Sequence, residues 1–103
     1  MAESNMIREM LEEELDRNSR AQKAYEAERD RLPKGSVTVK RRGSREYCYL
    51  KYRDGSRVVT DYVGIASKVE PELRDAVARR KEIENAIRQL RNEQAYIERA
   101  LAL

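Results

Sequence analysis

The chain has 103 residues, of which 40% are hydrophobic and another 40% charged, with a net charge of +3. There is no His and a single Cys, so an imidazole base, a His-ligated metal, an internal disulfide and a CxxC site are all excluded. With no Trp or Phe, six Tyr supply all of the aromatic surface, and a domain of this length has only a thin core.

Residues 4–32 contain no Gly or Pro and are rich in Glu, Arg, Ala, Leu and Met, which predicts a long helix over 1–32. At 100° per residue, Ile7, Met10, Leu11, Ala21, Tyr25 and Leu32 share one side, interrupted by Glu14 and Asn18. Acidic residues crowd the first half (Glu12, Glu13, Glu14, Asp16), as suits the positive end of a helix dipole. Leu32-Pro33-Lys34-Gly35 then ends the helix, because Pro cannot continue it and Gly permits a turn. The amino terminus has no basic region leading into an apolar stretch, so it does not read as a secretion signal.

Residues 33–66 read as a basic sheet of three short strands. Ser36–Arg41 is followed by a Gly43-Ser44 turn, Glu46–Arg53 by Asp54-Gly55, a strong hairpin signal, and Arg57–Val63 by Gly64. The short connections predict an antiparallel meander with the second strand central. Alternation puts Cys48, Leu50 and Tyr52 on the core face and Tyr47, Tyr49, Lys51 and Arg53 on the other.

A second helix is expected over 70–103, with Pro71 in its first turn. Leu73, Arg80, Ile87, Gln94 and Leu101 at a positions, and Ala76, Ile83, Leu90 and Ile97 at d positions, form a heptad seam. Either the first helix folded back antiparallel or the same helix of a second chain, in a homodimer, would bury it. The whole reads as one α+β domain: long helix, three-stranded antiparallel β-meander, long heptad-patterned helix.

Charge is unevenly placed. Residues 33–69 hold nine Lys/Arg against three Asp/Glu, a net +6, whereas residues 1–32 carry −3 and residues 70–103 are neutral. Lys40, Arg41, Arg42, Arg45, Lys51, Arg53 and Arg57 can neutralise phosphates, and Tyr47 and Tyr49 can stack on bases or wedge between them. Basic strands also serve to block edge-to-edge aggregation, and Tyr pairs also simply stabilise sheets. Cys48 has no His to activate it and reads as a small core hydrophobe. The glycines form no phosphate loop, and no catalytic, metal-binding or cofactor set is expected. No apolar run approaches the roughly 18 residues of a membrane span, so a cytoplasmic location away from membranes is expected.

Residues 32–64 resemble a pattern found in small bacterial and phage mobile-element proteins of unknown function: an L-P-x-G-S start, a Tyr-rich strand, Y-R-x-G, and a strand ending Y-[IV]-G. Leu32, Pro33, Gly35, Ser36, Tyr47, Tyr49, Leu50, Tyr52, Arg53, Gly55, Tyr62, Val63 and Gly64 carry the likeness, while Cys48 departs from it. The central part also looks like the three-stranded arm-binding domains of tyrosine integrases. These likenesses imply a non-enzymatic binding protein in a mobile element, contacting nucleic acid or a nucleoprotein. The alternative is an inhibitor of anti-CRISPR or antitoxin type that blocks the nucleic-acid surface of a nuclease.

Overall fold

The structure, a computed structural model, describes residues 2–103, with side chains described from Asn5 onward. The element order is α1 (Ala2–Asp30), β1 (Ser36–Arg42), β2 (Arg45–Asp54), β3 (Arg57–Ile65) and α2 (Ala66–Ala102). This is the expected α+β arrangement of long helix, three-stranded antiparallel sheet and long helix. The single domain expected from the length comprises two compact units. One holds Met1–Asp30 with Ile83–Leu103; the other is Arg31–Glu82. Helix α2 contributes residues to both.

In the sheet unit the strands run in the order β1-β2-β3, both pairs antiparallel. Both hairpins close with two-residue loops, Gly43-Ser44 and Gly55-Ser56. Gly43 and Gly55 have φ of 62° and 63°, and among the described residues none other than glycine has positive φ. A glycine at the first loop position, alone in the left-handed region, is the pattern of a type II′ turn, whose twist matches the flanking strands. The second turn is therefore shifted one residue from the Asp54-Gly55 signal: Asp54 is the last residue of β2 and pairs with Arg57.

The register puts Val37 opposite Leu50 and Val39 opposite Cys48. These four, with Ala66, Val69 and Leu73 of α2, form the core of this unit. Val77, one position beyond the heptad seam, is buried as well. Full burial of one aliphatic side chain contributes about 1.5–3 kcal/mol. Burial removes water from around the Cys48 thiolate and pushes the thiol pKa up, with nearby Glu70 adding to it.

A bulge interrupts the β2–β3 ladder, since Tyr49 faces Tyr62 but Cys48 faces Gly64, leaving Val63 as the extra residue. Gly64 thus lies within β3 instead of closing it. A Cβ there would approach Val69 Cγ1 to 3.0 Å, so the absent side chain lets α2 settle onto the strand. Ile65 ends β3 and Ala66 begins α2 with no loop between them. The second helix therefore starts four residues before the position expected from Pro71, which lies inside it. At the sixth helical position Pro71 forfeits the bond its N–H would make to residue 67 and crowds that residue's carbonyl, a cost set against the packing of Ala66 and Val69 on the sheet.

In the helical unit α1 and the end of α2 run antiparallel. Arg8 Nη1 donates to the Leu101 carbonyl (3.1 Å), and Asn18 Nδ2 to the Leu90 carbonyl (2.9 Å). Ile83, Ile87 and Ile97 are buried. Leu90, Gln94 and Leu101 are half-buried. The seam positions of α2 are thus covered within one chain. Arg80, a seam position in the sheet unit, donates to the Leu32 carbonyl at 2.7 Å.

The face of α1 differs from the expected stripe. Asn18, taken as an interruption, is 3% exposed and the most buried described residue of the helix. Gln22 Nε2 donates to Asn18 Oδ1 (2.7 Å) and to Gln94 Oε1 (2.6 Å), completing a polar layer. Leu11, Ala21 and Tyr25 are half-buried, but Ile7 and Met10 are more than 60% exposed. On the solvent side Arg8–Glu12, Arg17–Glu14 and Arg20–Asp16 pair along the helix, exposed contacts that water and salt screen.

Candidate nucleic-acid interface

Because side chains alternate across a strand, the register decides which of the nine expected contact residues share a surface. Lys40 lies opposite Tyr47, Arg42 opposite Arg45, and Thr38 opposite Tyr49. On the other side of β2, Tyr49 lies opposite Tyr62, Lys51 opposite Thr60, and Arg53 opposite Val58. The face away from Cys48 therefore carries Lys40, Arg42, Arg45, Tyr47, Tyr49, Lys51 and Arg53. Arg41 pairs with Glu46, and Arg57 with Asp54, on the Cys48 side. These two cations do not join the set, because Arg41 stands one residue from Lys40 and Arg42, and Asp54, the partner of Arg57, stands one residue from Arg53.

Tyr62 completes the face. Its ring centroid is 6.1 Å from that of Tyr47 and 5.7 Å from that of Tyr49, in tilted and edge-on geometries favoured by ring quadrupoles. Tyr62 is 58% exposed, whereas Tyr47 and Tyr49 are half-buried. Lys40 Nζ stands 5.0 Å from the Tyr49 ring centroid, a cation–π contact that holds the ammonium over the sheet. Tyr62 was not among the contact residues expected from the sequence, although a signal was present. Counting back from either turn frame, Asp54-Gly55 or Gly55-Ser56, places Tyr62 on the Tyr47/Tyr49 face.

The cations flank the rings at both ends. Arg42 and Arg45 meet at the β1–β2 turn, and Lys51 and Arg53 lie toward the β2–β3 turn, all exposed. Arg45 and Arg53 are eight residues apart on one strand, about 27 Å at the usual strand rise. Arg45 lines a cavity of about 520 Å³ together with Ile65 at the end of β3 and Ser67 and Lys68 at the start of α2. The first turn of that helix carries no acidic residue to offset its positive dipole end.

The Cys48-side face has different chemistry. The Tyr52 hydroxyl donates to Asp61 Oδ2 at 2.8 Å, and Lys34 Nζ stands 5.3 Å from the Tyr52 ring centroid. That hydrogen bond, with the Asp61 charge, holds the Tyr52 pKa above its ordinary value. Among the described residues no group of three or more Cys, Asp or Glu is arranged to hold a metal ion. None of their helices is long and apolar enough to cross a membrane.

Residues 9–75, well over half of the chain, match the family described as Domain of unknown function (DUF6788), and the chain belongs to that family. The matched region runs from α1 through the whole sheet into α2. No curated protein and no solved structure matches the chain.

Proposed function

We propose that this DUF6788-family chain is a binding protein that engages nucleic acid, bare or within a nucleoprotein, through the Tyr47–Tyr49–Tyr62 face of its sheet. The observation that carries this reading is the gathering of five cations and three Tyr rings on one face, with the hydrophobic core on the other. A sheet that needed only to resist edge pairing would place its charges on β1 and β3, the edge strands. Here Arg45, Lys51 and Arg53 stand on the central strand, where they protect no edge. Cations on both sides of a ring cluster fit a polyanion whose bases or grooves lie between phosphate contacts. The likeness of residues 32–64 to mobile-element proteins adds a phage or mobile-element setting to this reading.

The test is fluorescence anisotropy with labelled nucleic acids at low and near-physiological salt. Affinity should fall steeply as salt rises. Replacing Arg42, Arg45, Lys51 and Arg53 together by Ala should weaken binding and flatten its salt dependence. Absence of binding at low salt would remove the reading and direct the search to a protein partner, a nuclease first, as the inhibitor alternative requires.

A further inference from the structure

We infer that the nucleic acid this face takes is single-stranded, with Tyr62 as the principal stacking platform. The inference rests on the proposed nucleic-acid reading and specifies its ligand. Two observations support it. First, the rings lie side by side on a sheet surface, with Tyr47 and Tyr49 half-buried and in mutual contact with Tyr62. Stacking on a ring needs a base already free of its neighbours, and unstacking a duplex carries a cost that a single strand avoids. Second, Tyr62 lies on edge strand β3 with more than half of its surface exposed, and Val58 on the same face is also exposed. An unpaired base can reach that apolar surface without displacing protein. The charges alone would favour the other ligand. A duplex has the higher charge density, and its binding is the more salt-sensitive per phosphate contact. A preference for the single strand would therefore come from ring stacking and not from the cations. Stacking uses the π face common to all bases, so neither a sequence nor a sugar preference follows from it.

The experiment measures the affinity of the full chain for a labelled strand of about a dozen nucleotides. Single-stranded DNA, single-stranded RNA and the DNA duplex of one mixed sequence are compared at the same salt. Tyr62→Ala and Tyr62→Phe are tested alongside, with circular dichroism to verify the fold. Expected are tighter binding of both single strands than of the duplex, and a loss of about 5- to 150-fold for Tyr62→Ala on single strands. The same change should alter duplex binding little, and Tyr62→Phe should bind nearly as the native chain does. Equal or tighter duplex binding, with Tyr62→Ala unchanged, overturns the single-strand inference; if the four cations still matter, the nucleic-acid reading stands. Failure of all three probes to bind at low salt overturns both.

Discussion

At Gly35 the backbone leaves no room for a side chain. Its φ of 114° is one that L residues rarely adopt, and a Cβ there would stand 2.4 Å from the Lys51 carbonyl oxygen. Both the conformation and the approach of β2 demand glycine. Gly35→Ala should destabilise the protein by about 2 kcal/mol or more, measured by urea unfolding. Tyr52 offers a second residue-level measurement. Its pKa is raised in the folded state, so the folded chain holds that proton more tightly than the unfolded chain does. The associated stability is fully present below the unfolded Tyr value of about 10 and is lost as pH rises through the folded value. Melting temperatures of the native chain and Tyr52→Phe should differ below pH 10 and converge above it; parallel curves would contradict the Tyr52–Asp61 account. Tyr62 shows what was readable at this scale. Its face follows from alternation and a turn frame, whereas Val63 as a bulge residue does not, because no local preference distinguishes Val63 from any other strand valine.

Among the elements, the helices differ most from simple pattern reading. Apolar periodicity alone gave the wrong weight to the start and the middle of α1: Ile7 and Met10 match the stripe yet stay exposed, while Asn18 breaks it and is buried. The reason is tertiary. Asn18, Gln22 and Gln94 satisfy one another and the Leu90 carbonyl, so a polar residue is cheap in a position where an unpartnered one is costly. Asn18→Ala should lower stability by about 1–3 kcal/mol in urea unfolding, since it strands buried partners. Replacing Asn18, Gln22 and Gln94 together by Leu should give a chain no less stable than the native one, because no donor or acceptor is then left unmet. A triple variant weaker than Asn18→Ala would mean that packing, not hydrogen bonding, governs this layer. The heptad seam of α2 was legible because Ile and Leu recur in steps of three and four; the start of that helix was not. Pro71 is a conventional first-turn residue, and only the packing of Ala66 in the sheet core and of Val69 beneath Gly64 explains the earlier start.

For the molecule as a whole, the modest net charge hides the separation of an acidic amino-terminal segment from the basic sheet. Each cation that meets a phosphate contributes roughly 0.7 to the logarithmic salt slope on a single strand. The variant lacking Arg42, Arg45, Lys51 and Arg53 should therefore show a slope shallower by about 3. A slope unchanged by those substitutions would place the phosphate contacts elsewhere. The order of elements and the sheet topology were open to sequence reasoning, since turn glycines and alternation are local signals. The split of Arg41 and Arg57 from the other cations required the observed pairing. The direct passage from Ile65 to Ala66 also bears on how such chains can diverge. Extra residues at Gly43-Ser44 or Gly55-Ser56 only lengthen an exposed turn. One extra residue at 65/66 would turn the helix by about 100° and swing Ala66, Val69 and Leu73 off the sheet. Relatives can thus accumulate insertions at the hairpin tips, while the strand-to-helix junction keeps a fixed length.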